Sequence, residues 1–185
     1  NAMNSEIKNN ILSKYPKKKT NLPEKYIEIY QKSYKENRDG EGFANSISQN
    51  LESWGHKIIE SRTSKINFKN TLEIGAGNLN HLNYIKESQI YDIIEPNKWF
   101  FENSINLKKV NKVYSNISQI SHENFYDRIV SVMVLEHLTD LPNVIEKSKK
   151  LLKSNGIFQA AVPCEGELAF YCGWRFGTGL SFLLK

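Results

Sequence analysis

Thr71-Leu72-Glu73-Ile74-Gly75-Ala76-Gly77-Asn78-Leu79-Asn80, written TLEIGAGNLN, is the stretch on which the fold turns. A short apolar run closes on two glycines one residue apart, with an acid two residues before the first. Such a run reads as a strand that ends beside a ligand. Gly75 permits a tight turn, and Gly77 lets the backbone come close to a bound molecule at the start of the next helix. The glycine pair by itself also fits a plain strand-to-helix turn, so the surrounding pattern has to decide.

Downstream, short apolar runs alternate with helical segments. Strands are expected over 72–74, 90–94, 110–114, 129–135 and 157–162, with helices over 78–86, 99–107 and 141–153 between them. The last helix carries Leu141, Val144, Ile145, Leu151 and Leu152 on one face, and Gly156 is expected to end it. Continuous apolar strands separated by helices predict an α/β fold with a doubly wound, mostly parallel sheet covered on both faces. No internal repeat or low-complexity segment interrupts the pattern.

Upstream, residues 1–20 are polar and without periodicity, and they read as a flexible lead-in in which Asn1-Ala2 looks like a tag scar. Asn21, Pro23 and Glu24 then signal a helix start, with Tyr26, Ile27, Tyr30 and Tyr34 as its apolar stripe. A second helix carries Phe43, Ile47, Leu51, Trp54 and Ile58. Residues 21–62 are therefore expected to form a helical cap, with the aromatic residues packed on a core in preference to covering a ligand. Residues 66–163 form the binding core. Residues 164–185 form either a lid or the truncated remainder of the core, the truncated reading being preferred.

Composition narrows the function. The chain has 185 residues, 39% of them hydrophobic, which suits one domain with a real core. It contains no long apolar span and no leader, so neither a membrane nor secretion is expected. Cys164 and Cys172 are the two cysteines, with no metal-ligand spacing, and a reducing cytoplasm fits them. Net charge is +5, but Lys supplies 21 of the 25 basic residues and only Lys17-Lys18-Lys19 forms a run. Readers of nucleic acid lean on Arg for bidentate contacts. A solvated basic surface is the preferred reading, and nucleic acid is not the expected partner.

The glycine loop also restricts its ligand. A dinucleotide fingerprint needs a third small residue where this chain has Asn80. An acid at Glu73 would repel a pyrophosphate and attract a cation. Glu95 ends the second strand 18 residues after Gly77, where a carboxylate accepts the two hydroxyls of a ribose. The pocket thus calls for a nucleoside with a cationic appendage and no phosphate, a description that S-adenosylmethionine meets.

The blocks LEIGAGNLNHL, YDIIEPNKWF and FYDRIVSVMVLEHLTDLPNVIEKSKKLLKSNGIFQAAVP, in this order, resemble the successive motifs of class I S-adenosylmethionine-dependent methyltransferases. The resemblance covers residues 70–163. It implies a Rossmann-like core in which Glu73, Gly75, Ala76, Gly77 and Asn78 line the methionine end of the cofactor. Glu95 takes the ribose hydroxyls, and Pro96, Asn97 and Trp99 lie near the adenosine. Asn116, followed by Ile117, stands where relatives carry an acid for the adenine amine. Met133, Val134 and Leu135 end the strand that faces the transferred methyl.

VLEHL, at 134–138, is similar to small-molecule members of the family, including O-methyltransferases of quinone biosynthesis. His137 is then either the general base for a hydroxyl acceptor or a residue that orders its loop. Glu136 either positions an acceptor or caps the loop, and the cap is preferred. No metal-ligand cluster is seen. The expected activity is methyl transfer to a small molecule, such as a hydroxyl of a sugar or another metabolite. The alternatives are a non-catalytic cofactor-binding module and an RNA or DNA methyltransferase.

Overall fold

The computed structural model describes residues 2–18, 23–29, 43–86 and 90–162. The chain divides into two compact units, Asn1–Lys19 with His56–Val162, and Thr20–Gly55 with Pro163–Lys185. Tyr30, Tyr34 and the expected lid or remainder at 164–185 lie outside the described residues, as do the side chains of Phe43, Ile47 and Leu51. The site belongs to the first unit, which holds every element below except the amino-terminal turns of α2.

Where a flexible lead-in was expected, Ala2–Leu12 forms a helix, α1, with Ile7, Ile11 and Leu12 exposed. Helix α2 spans Phe43–Arg62, and the division between units falls inside it, ahead of His56. Five strands follow: β1 (Asn70–Ile74), β2 (Ile90–Ile94), β3 (Lys112–Tyr114), β4 (Tyr126–Val132) and β5 (Leu152–Ala161). All pair in parallel in the order β3-β2-β1-β4-β5, so the sheet is doubly wound and the direction of winding reverses between β1 and β4. This is the architecture that the alternation of strands and helices predicts.

Strand alternation sets the two layers. Leu72 and Ile74 of β1 point to one face, where they pack with Ile94, Ile129 and Leu151, the last residue of α3 (Leu141–Leu151). Val130 and Val132 of β4 point to the other face and pack on Ile59 of α2. Tyr91 and Ile93 share that second face with Ala76, Leu79 and Leu82 from the segment after the glycines. Both faces are thus covered, as a parallel sheet requires. Ile145, expected in the core, is 43% exposed on α3.

Several boundaries differ from expectation. The helices expected over 78–86 and 99–107 are short 3-10 turns, at Asn80–Asn83, Lys98–Phe100 and Ile105–Lys109. β4 begins and ends three residues earlier than expected, because Met133 takes a left-handed φ of 56° that no strand can continue through. Gly156 does not end α3. The helix stops at Leu151, and Gly156 sits inside β5, where the register jumps: Tyr126 pairs with Leu152, but Arg128 pairs with Ile157. A Cβ at Gly156 would come within 2.9 Å of Leu152 Cδ2 and 3.0 Å of the Tyr126 carbonyl. The glycine is needed for close approach within the jump, not for a helix stop.

Candidate active site

The carboxyl ends of β1 and β4 lie at the reversal of winding, where an open α/β sheet leaves a crevice for ligands. Gly75 follows β1 directly with φ 74°, and its N–H donates to the Ile94 carbonyl at 2.8 Å. A Cβ here would lie 2.4 Å from Val134 Cγ1, so Val134 from the β4 side packs into the space that a side chain would fill. Gly77 is left-handed too, with φ 50°, but a Cβ on it would meet nothing within 4 Å. The two glycines therefore differ in their surroundings. Gly75 closes against protein, and Gly77 borders open space.

That space is bounded by Glu95, which follows β2. Its Oε2 accepts from the Gly77 N–H at 3.0 Å and its Oε1 from the Asn97 N–H at 2.9 Å. Each oxygen keeps a lone pair for a further donor. Ala76 is buried in the core beneath the loop, so only its backbone reaches the crevice, and Asn78 is half-buried beside it. Pro96 and Asn97 are exposed. Trp99 stacks on Phe100 with ring centroids 3.8 Å apart. Asn116 is exposed, and its Oδ1 accepts from the Ser118 N–H at 2.9 Å, so the oxygen expected to meet an adenine amine already caps a turn. Ile117 is buried in the core with Leu72 and Ile74.

Glu73 departs from the reasoning that singled it out. It is 2% exposed within β1, and its Oε2 accepts from the Tyr91 hydroxyl at 2.8 Å. Burial pushes its carboxyl up to about 8, against the opposing hydrogen bond from Tyr91. At neutral pH it is therefore mostly a neutral acid. It is not the standing negative charge from which attraction to a cation was argued.

On the β4 side, Met133 donates its N–H to the Ala161 carbonyl at 2.7 Å, and Val134 and Leu135 are half-buried past the strand end. Leu135–His137 forms a 3-10 turn. The His137 side chain is 78% exposed, with Nε2 3.7 Å from Glu136 Oε1. A ring standing so far out in solvent does not reach into a closed cavity. Glu136 Oε2 is shielded from water and has no hydrogen-bond partner among the described residues, so its carboxylate is not seen to cap the turn.

A family model described as a methyltransferase domain matches residues 43–169. The chain belongs to that family. It is of the class I S-adenosylmethionine-dependent type, with the Rossmann-like fold of the class and S-adenosylmethionine as cofactor. Nothing among curated protein sequences matches. Solved structures share the fold, three of them as follows. The N-methyltransferase NodS from Bradyrhizobium japonicum is 20% identical with a TM-score of 0.54, covering 69% of this chain and 74% of its own. A Thermotoga maritima protein, described as an S-adenosylmethionine-dependent methyltransferase and possible histamine N-methyltransferase, is 13% identical with a TM-score of 0.53, covering 72% and 64%. A Methanococcus maripaludis protein described as a candidate enzyme of this type is 17% identical with a TM-score of 0.51, covering 63% and 59%. This chain thus spans about three-fifths of the length of that last structure. At these identities the likeness is one of fold.

At the glycine loop the residues of this methyltransferase domain suit the cofactor. Gly77 opens onto free space, and the buried Glu95 carboxylate borders it with lone pairs to spare. Sequence reasoning missed the polar network behind the glycine loop. His56 and His81 share a hydrogen bond between their Nδ1 atoms at 2.9 Å, His81 Nε2 lies 3.0 Å from Glu60 Oε1, and Glu60 pairs with the buried Arg128. Burial alone would raise the Glu60 carboxyl, but His81 and Arg128 outweigh it and hold it low. Burial lowers the pKa of His81, with Glu60 opposing. His81 stands inside the quoted motif GNLNHL, but single histidines there carry no pattern that could have marked it. A hollow of about 240 Å³ adjoins this network, lined by Lys57, Ser61, Phe68, Tyr84 and Arg128 among others. It shares no residue with the glycine loop. Among the described residues there is no helix long and apolar enough to cross a membrane, and no cluster of metal-ligating side chains.

Proposed function

We propose that this domain transfers a methyl group from S-adenosylmethionine to the hydroxyl of a small molecule, a sugar or other metabolite, in the cytoplasm. The observation that carries the proposal is the open cradle at Gly77 faced by the buried carboxylate of Glu95. When bound, the cofactor supplies an electrophilic methyl on a sulfonium. The protein's task is then mainly positioning, because displacement at that carbon needs the acceptor in line with the bond that breaks.

In this reading Gly77 gives room for the backbone of the loop to lie against the cofactor, and Glu95 takes the ribose hydroxyls on its free lone pairs. Glu73, Asn78 and the backbone at Gly75 and Ala76 hold the methionine end. Pro96, Asn97, Trp99, Asn116 and Ile117 surround the adenosine. Met133, Val134 and Leu135 form the wall on the methyl side, and the turn carrying Glu136 and His137 deals with the acceptor's proton. The small-molecule acceptor is favoured by a basic charge carried mostly by Lys and spread along the chain. Calorimetry with S-adenosylmethionine, S-adenosylhomocysteine and NAD tests the cofactor: the first two bind and NAD does not. Methyl incorporation from labelled cofactor into fractionated metabolites, against RNA and DNA as controls, then tests the acceptor class. Label appearing only in nucleic acid would overturn it.

A further inference from the structure

The hollow of about 240 Å³ beside the polar network is walled by the end of α2, the 63–68 connection to β1 and the segment 84–86. Arg128 of β4 also lines it, with a side chain only 2% exposed. The three nitrogens of that guanidinium differ. Nη2 donates to Glu60 Oε1, and Nε is sealed from water without a partner. Nη1 has no partner among the described residues either, but unlike Nε it is not sealed, and the hollow is the opening that Arg128 lines. Phe68 covers the guanidinium, its ring centroid 5.1 Å from Cζ. Two more cations border the hollow, and both are exposed. Neither Lys57 nor Lys86 pairs with a carboxylate among the described residues, and the Lys86 ammonium donates instead to the Ser64 carbonyl. Glu60 is the one acid in the lining, and Arg128 and His81 already hold it. The lining thus carries three positive charges against one negative.

A concave site with an excess of one charge gathers ligands of the other, and a guanidinium with an open N–H suits the oxygens of a carboxylate or a phosphate. We propose that this hollow binds a small organic anion, a carboxylate or a phosphate ester, at a site separate from that of the cofactor. The anionic group accepts from Arg128 Nη1 in the depth of the hollow and from the Lys57 and Lys86 ammoniums at its rim. Phe68, Tyr84 and Ile85 give the carbon body an apolar wall. Size limits the ligand further. At about 30 Å³ for each water, 240 Å³ holds roughly eight waters, which suits a small metabolite and excludes a nucleotide. The lining shares no residue with the glycine loop, so both sites can be filled together.

Succinate and glycerol 3-phosphate serve as probes, titrated into the isotope-labelled protein at constant ionic strength and followed by its amide resonances. Glycerol and sodium chloride are the controls. At least one of the two anions should bind saturably and shift the signals of residues 57–68 and 84–86, while the controls do not. Which of the two binds tells whether the site takes a carboxylate or a phosphate ester. The double variant Lys57→Gln, Lys86→Gln should weaken that binding at least about tenfold, the margin of one charge-assisted hydrogen bond. Both lysines are exposed, so its affinity for S-adenosylhomocysteine should stay as in wild type. Should the double variant fail to fold, Lys57→Gln alone must weaken the anion at least about threefold. With S-adenosylhomocysteine at saturation the anion should still bind. Saturable binding of neither probe, equal binding in the variant, or displacement by S-adenosylhomocysteine would each overturn the proposal.

Discussion

On the β2 side of the crevice, Glu95, Gly77 and Asn97 hold one another by hydrogen bonds of 2.9–3.0 Å. Across from them, past β4, Met133 is left-handed without being glycine, and Glu136 Oε2 has no partner among the described residues. The contrast separates two tasks. The first side is complete in itself and suits a ligand that is always the same. Left-handed non-glycine residues stand on both sides, Leu79 on the first and Met133 on the second. The difference therefore lies in the hydrogen bonding: the second side leaves a carboxylate oxygen unmet among the described residues.

The largest expected effect breaks the contact between the sides. Gly75→Ala puts a Cβ into Val134 at a φ that L-residues avoid, and should cost roughly 2–4 kcal/mol of stability by urea unfolding. Gly77→Ala meets no protein atom, so it should cost roughly 1–2 kcal/mol from its backbone angle alone. Its main effect should be on affinity for S-adenosylhomocysteine, because the added methyl enters the cradle. If both variants lose stability equally with no difference in binding, the distinction between the two glycines is wrong.

Glu95→Ala comes next. It removes acceptors for two backbone N–H groups and, in our reading, for two ribose hydroxyls. Charge-assisted bonds of this kind are worth roughly 1.5–3 kcal/mol each, so affinity by calorimetry should fall at least about tenfold. Unfolding should also shift, since Glu95 is buried and joins two loops. An affinity unchanged in the folded variant would remove Glu95 from the site.

Glu73 gives a smaller effect with a definite sign. Its carboxyl titrates near 8 in the folded protein and near its ordinary value of 4.5 when unfolded. Between those values the unfolded chain has released a proton that the folded protein keeps. Stability contributed by Glu73 therefore falls as pH rises from about 4.5 to 8. Glu73→Gln should lose that part of the slope, so the stability difference between variant and wild type should change steadily across the window in urea titrations. His81 has the opposite sign: its pKa is lowered by burial, so it destabilises the fold as pH drops below the ordinary imidazole value of 6.5. The two slopes are separable because Glu73→Gln removes only the first. Bound cofactor should also draw the Glu73 proton off if its ammonium lies near, which calorimetry in buffers of different ionisation enthalpy would detect as proton release.

The smallest effect is expected at Asn116. Its side-chain oxygen caps the turn at Ser118, so Asn116→Ala should cost about 1 kcal/mol of stability. Cofactor affinity should change less than in Glu95→Ala. A larger loss of affinity than of stability would restore Asn116 as an adenine contact.

How far the sequence reached follows the same division. Leu72–Ile74 and Ile90–Ile94 were legible because each is a short, mostly apolar run with a marked end. The marks are Gly75 and Gly77 for the first and Glu95-Pro96 for the second, and such patterns act over a few neighbouring residues. The doubly wound parallel sheet and the glycine turn at a strand end followed from them. The end of β4 was not legible, because VSVMVLEH contains no glycine or proline to mark a break, and the left-handed turn falls on Met133. The helix expected at 78–86 follows its apolar spacing, yet only Asn80–Asn83 coils, after Leu79 turns left-handed with φ 68°. The charge state of Glu73 was likewise out of reach, since it depends on burial beside Tyr91, which lies one strand away. Tertiary surroundings decided each of these, and no local pattern encodes them.

The two hydrogen bonds of Glu95 have one more consequence. They join the glycine loop to the loop after β2 in the protein without ligand, so neither loop has to be gathered in when a cofactor arrives. Ordering of flexible segments is a major entropic cost of association, and here that cost has already been met during folding. Cofactor capture on this side should therefore be a rigid-body encounter, with a single association phase whose rate scales linearly with ligand concentration.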